Sequence, residues 1–128
     1  MHLRDFDAEC QLDAEEELQT RLRATRRGDF GAFILWHADG GPSLWIHVNK
    51  DRAYLHFFPD RSGDHPGFQS SGGPTNGDDI RFLQTDGSDA DSITVPRSAV
   101  IPVQEAYAAA SEFWQKNERP RSIRWLEL

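Results

Sequence analysis

The chain reads as an α+β domain, an antiparallel β-meander of about five to six strands packed with two main helices. Three observations predict it. Short apolar runs alternating with period two fill the middle of the chain, clusters of Gly, Pro, Asn and Asp separate them, and a stretch of helical period lies toward each end. At 128 residues, 38% of them hydrophobic, the chain is long enough to bury one core without disulfide or metal support. A single domain spanning residues 1–128 is therefore expected.

The first helix follows Asp13. Asp13 and Glu16 have the spacing of a capping box, acids fill the first turn, Leu18 and Leu22 sit four apart, and Arg26, Arg27 and Gly28 supply stop signals. Three apolar runs come next: Phe30–His37, Ser43–Asn49 and Arg52–Phe58. With Lys50 and Asp51 as a two-residue turn, 49 faces 52, 47 faces 54 and 45 faces 56. That register puts Leu44, Ile46, Val48, Ala53, Leu55 and Phe57 on a core face. Trp45, His47, Asn49, Tyr54, His56 and Phe58 share the other face, rich in rings with a polar edge.

After Phe58 the chain runs PDRSGDHPGFQSSGGPTNGDD. This composition predicts a long, pliable loop. Ile80–Thr85 and Ser92–Val95 read as short strands flanking an acidic turn. Pro102 opens a second helix with Val103, Ala106, Tyr107, Ala110, Phe113 and Trp114 at helical spacing. Arg119-Pro120 is expected to break it, and SIRWLEL to form a last strand, with Trp114, Ile123 and Trp125 in the core.

Charge and composition exclude several function classes. There are 21 acids against 14 bases, a net charge of -7. Phosphate attraction needs clustered cations, so direct nucleic-acid binding is not expected, and such a surface instead steers toward a basic partner. No apolar run approaches the roughly 18 residues of a membrane span, and the start MHLRDFDAEC carries acids where a signal peptide is apolar. A cytoplasmic protein is expected. The single Cys10 has no partner for a disulfide or a zinc site. His47 and His56, with His37 on the preceding strand, invite a metal reading, but no HExxH, CxxC or carboxylate spacing supplies a third ligand of suitable geometry, so no metal and no cofactor are expected. The glycine loop lacks GxxxxGK[ST], and Ser70 and Ser71 lack the G-x-S-x-G elbow. No catalytic residue can be assigned.

The order of these pieces carries a resemblance. An acidic helix, WIHVNKDRAYLHFF, the loop GFQSSGG, a VP step, AYAAASEFWQKN and the ending RPRSIRWLEL together resemble immunity protein family one, the antitoxins of bacterial polymorphic toxins. The SGG loop and the RP-x-x-I-x-W-x-E-L ending are most similar to the branch paired with a deaminase toxin acting on double-stranded DNA. The resemblance implies a non-catalytic toxin inhibitor that binds a cognate toxin domain, a basic nucleic-acid-modifying deaminase or nuclease, and covers its active site.

Exposure and charge select the expected contact residues. Trp45, Tyr54, Phe58 and Phe68 are the expected anchors, Asp60, Asp64, Asp78 and Asp79 the steering rim. Ser70 and Ser71 belong to the loop thought to mould itself to the toxin. Two other readings stay open. One is a small α+β enzyme or small-molecule-binding domain with His47 and His56 in a pocket; the other is a subunit of a larger assembly, with an extensive apolar patch.

Overall fold

A computed structural model describes residues 1–85 and 92–128. Strands β1 (His2–Arg4) and β2 (Glu9–Gln11) precede α1 (Glu15–Ala24). β3 (Phe30–Trp36), β4 (Ser43–Asn49) and β5 (Arg52–Phe58) follow. Then come β6 (Phe68–Ser71), β7 (Ile80–Phe82), β8 (Ile93–Val95), a 3-10 turn (Arg97–Ala99), β9 (Ile101–Pro102), α2 (Val103–Lys116) and β10 (Arg124–Glu127). The main sheet runs β10-β6-β5-β4-β3-β1-β2 with β9 also paired to β5, and β7 and β8 form a separate ribbon. The α+β class with two helices holds. The main sheet has eight strands because β1, β2, β6 and β9, too short or too polar to carry a periodic signal, join the meander.

The register predicted for the central hairpin is the observed one: Asn49 opposes Arg52, His47 opposes Tyr54 and Trp45 opposes His56. Lys50 turns the corner at φ 58°. Leu44, Ile46, Val48, Ala53, Leu55 and Phe57 accordingly join Phe33 and Leu35 of β3 on the inner face. There they pack with Leu18 and Leu22 of α1 and with Val103, Ala106, Tyr107, Ala110 and Phe113 of α2. Trp114 and Trp125 are half-buried against this core, and Ile123 is within it. Gln19 ties the helices together, its amide donating to Tyr107 O at 3.0 Å and Ser111 Oγ at 2.8 Å.

Both ends of α1 and the stop signal of α2 differ from expectation. The capping box does not form: α1 starts at Glu15, so Ala14 holds the N-cap position with no side-chain hydrogen bond. Glu15, Glu16 and Glu17 still meet the positive end of the helix dipole. Arg26, Arg27 and Gly28 lie beyond the helix, whose last residue is Ala24. Arg27 and Phe30 exchange backbone hydrogen bonds across Gly28-Asp29, so Gly28 serves a turn into β3. At the other end α2 stops at Lys116 because Asn117 adopts φ 52°, before Pro120 is reached.

The GFQSSGG segment departs most from the loop reading. Phe68–Ser71 is a strand inside the sheet, paired with β5 on one side and β10 on the other. Its glycines permit close packing: a Cβ on Gly67 would come 2.5 Å from His56 Nε2, and one on Gly73 would overlap the carbonyl oxygens of Arg97 and Val100. Ser70 is fully buried. Where β6 separates from β5, its hydroxyl accepts from Leu55 N at 3.0 Å and donates to Ala99 O at 2.6 Å. A side chain thus completes the hydrogen bonding that the ladder leaves open there.

Candidate functional site

The outer face of the sheet has two halves. Over one, the β7–β8 ribbon lies down: Tyr54 packs with Phe82, Val95, Ala99 and Val100, while Ala32 packs with Phe6 and Leu83. His47 is buried beneath this cover, its Nδ1–H donating to Leu83 O at 3.0 Å. Burial lowers its pKa to about 4, outweighing the hydrogen bond to Leu83, which acts in the opposite sense, with a smaller lowering by nearby His56. The imidazole is therefore neutral at pH 7.

The other half is open. Trp45 and Phe58 meet edge to face with ring centroids 5.5 Å apart, and both are half-buried. His56 stacks on Phe58 at 4.3 Å. A shallow hollow of about 400 Å³ is lined by Arg4, Ile34, Ser43, Trp45, Phe58, Asp60, Arg61 and Gly63. Asp60 is exposed, and the hydroxyl and N–H of Ser62 both donate to its Oδ1, at 2.5 and 2.9 Å. These bonds hold the Asp60 carboxyl below its ordinary pKa, keeping a fixed negative charge beside two aromatic rings.

The structure divides the remaining expected contact residues. Tyr54 is not a surface anchor: it is 6% exposed, because β7–β8 covers its end of β5. Its hydroxyl reaches His56 Nδ1 at 3.3 Å and Gln69 Oε1 at 3.4 Å. Ser70 is likewise inaccessible, being a bridge between β5 and the 3-10 turn. Phe68 points to the inner face, away from Trp45, with His65 stacked at 5.0 Å and the Arg119 guanidinium 4.2 Å from its centroid. Ser71 is half-buried beside a separate cavity that includes Gly72, Gly73, Glu105 and Arg124. Asp64 is exposed in the loop after Asp60, and Asp78 and Asp79 are exposed just before β7. The acidic turn expected between Thr85 and Ser92, with Asp86, Asp89 and Asp91, falls outside the described residues.

Residues not anticipated complete the open half. Ile34 was findable from the alternation of β3, where it opposes Trp45. Arg4 was not, since three residues of β1 carry no periodic signal. The pocket reading of His47 and His56 fails on position. His47 is sealed under the ribbon and His56 Nε2–H donates to Pro66 O at 2.9 Å, so neither nitrogen pair faces a shared cavity. Among the described residues no group of three or more His, Cys, Asp or Glu side chains is placed to hold a metal ion, and no helix is long and apolar enough to cross a membrane.

A family profile described as Immunity protein Imm1 matches residues 7–127. The sequence is also 26% identical over 130 aligned positions, covering 100% of both chains, to the double-stranded DNA deaminase immunity protein of Burkholderia cenocepacia strain H111. With all but a few residues at its two ends inside that match, the chain belongs to the Imm1 family of immunity proteins.

Proposed function

We propose that this immunity protein neutralises a nucleic-acid deaminase toxin by seating the open half of its outer sheet face over the toxin's active site. Membership of the family makes the chain an antitoxin with a cognate toxin as partner, rather than an enzyme. The deaminase assignment is supported by the full-length relative, which is named for such a toxin. The observation that carries the docking site is the pairing of half-buried Trp45 and Phe58 with exposed Asp60, on the half of the sheet that β7–β8 leaves bare. Rings with a partly wet edge beside a fixed carboxylate are the composition of an interface anchor and its rim.

A protein of charge -7 suits a toxin whose nucleic-acid groove is basic, since enzymes that grip a phosphate backbone present cations there. Asp64 lies in the loop after Asp60, Asp78 and Asp79 add negative field from the segment before β7 on the covered side, and Arg4 and Arg61 in the open hollow add donors for acceptor groups on the toxin. The same charge argues against direct binding of nucleic acid, and the inhibitor acts in the cytoplasm, where the toxin's substrate lies.

The test is a deamination assay with the toxin domain encoded beside this gene, with survival on co-expression as its cellular counterpart. Inhibition that is complete at one-to-one stoichiometry is expected. A tight complex that leaves the deamination rate unchanged would overturn occlusion of the active site, and a toxin with no deaminase activity would overturn the assignment of its chemistry.

A further inference from the structure

The cross-strand register aligns one row of side chains over the outer face: Arg4, Ile34, Trp45, His56, Gln69 and Leu126. The row starts at the proposed docking surface and ends on β10, an edge strand of the main sheet. Leu126 and Leu128, both on this face, are the exposed large hydrophobic residues among those described, at 51% and 47%. Leu128 N donates to Gly67 O at 3.0 Å. Antiparallel ladders alternate, so Leu126 and Arg124 also turn their backbone groups toward β6, and Trp125 and Glu127 turn theirs outward. The edge therefore presents two N–H and two C=O groups, flanked by exposed leucines.

The opposite edge is built differently. On β2, Glu9 and Gln11 are exposed and polar on the same face, and α1 follows soon after. Charged, short edges discourage strand addition, and exposed apolar ones invite it.

We propose that β10 accepts an extended strand of the toxin in main-chain register, so that the complex is held by β-augmentation as well as by the Trp45–Phe58 face. This rests on the outer face being the docking side. A toxin seated on Trp45 reaches β10 by following one row of the sheet, and its alternate apolar side chains lie over Leu126 and Leu128. A second copy of this chain is the less suitable occupant, since pairing two chains of charge -7 sets like fields together.

Hydrogen exchange of the full chain, alone and with the toxin domain, tests this together with affinity measurements. The outward amides of Trp125 and Glu127 are expected to exchange freely alone and to slow by about 100-fold in the complex. Glu127→Pro removes one outward donor and leaves the ladder to β6 intact, as a proline on an edge can. It is expected to weaken binding by about tenfold or more, whereas Glu127→Gln, which keeps the N–H, binds like the parent. Leu126→Glu, which leaves the backbone unchanged, is expected to weaken binding similarly and keeps the test valid should the proline variant fail to fold. Unprotected Trp125 and Glu127 amides, with unchanged affinity of Leu126→Glu, would overturn strand addition even while Trp45→Ala weakens the complex. Protection at β10 with no effect of Trp45→Ala would instead overturn the docking face and leave the edge standing. Dimerisation of the free chain that Leu126→Glu abolishes would assign the edge to a second copy and overturn the proposal.

Discussion

At the residue scale, two buried polar side chains carry more of the fold than their sequence neighbourhood suggests. Ser70 sits in a run that looks like loop, yet its hydroxyl serves both Leu55 N and Ala99 O. Ser70→Ala leaves a buried donor and acceptor unmatched and is expected to destabilise by about 2 kcal/mol in urea titration. Gly73→Ala should be at least as harmful, because two carbonyl oxygens already occupy the Cβ position. His47 predicts a pH effect. Its folded pKa of about 4 lies below the unfolded value of 6.5, so the unfolded chain binds the extra proton as pH falls. The stabilising effect of a neutral His47 is complete above about pH 7 and is lost progressively as pH falls from 6.5 toward 4. The loss is on the order of 3 kcal/mol. A His47→Gln variant should lose less stability than the parent between pH 7 and pH 5, and an equal loss would contradict this account of the site. Serine in a glycine-rich run gave no sign of burial, because what buries Ser70 is the 3-10 turn about 29 positions away.

At the element scale, legibility tracked length. β3, β4 and β5 are each seven residues long, enough for alternation to name the core face and the register. α2, with fourteen residues and a single apolar stripe, was equally readable. β1, β2 and β9 have two or three residues each, and pairing with neighbouring strands, rather than local pattern, makes them strands. β6 was hidden by composition, since glycines that signal turns in most contexts here allow the backbone to pass close to His56 and the 3-10 turn. The ribbon β7–β8 is legible as two strands, but nothing local says that it folds over Tyr54 and His47. This is why one half of the ring-rich face is core and only the other is surface. The central hairpin offers a direct check: Lys50 holds a left-handed conformation that disfavours a side chain. Lys50→Gly is expected to raise the unfolding free energy by about 0.5 kcal/mol, the relief of strain exceeding the entropy added to the unfolded chain. A loss of stability would mean that the Lys50 side chain supports the turn in another way.

At the scale of the whole molecule, the net charge and the layout of the sheet act on different steps of partner capture. Asp60, Asp64, Asp78 and Asp79 are exposed, placed to steer approach but readily screened. Replacing Asp78 and Asp79 together with Asn should slow association with the toxin domain by about two- to fivefold at low salt and leave dissociation nearly unchanged. In high salt the difference should vanish, which stopped-flow mixing can check. Residence, on the proposed docking, is assigned to Trp45 and Phe58 at the centre of the open half-face, rings that a bound partner would desolvate. The most direct measurement is therefore the equilibrium affinity of the Trp45→Ala/Phe58→Ala double variant for the toxin domain, with circular dichroism and thermal unfolding establishing that the sheet is intact. A weakening of about 100-fold or more in a folded protein is the result predicted for a toxin seated on the open half of the outer face. Parental affinity in the folded double variant would contradict it and place the toxin elsewhere on the molecule.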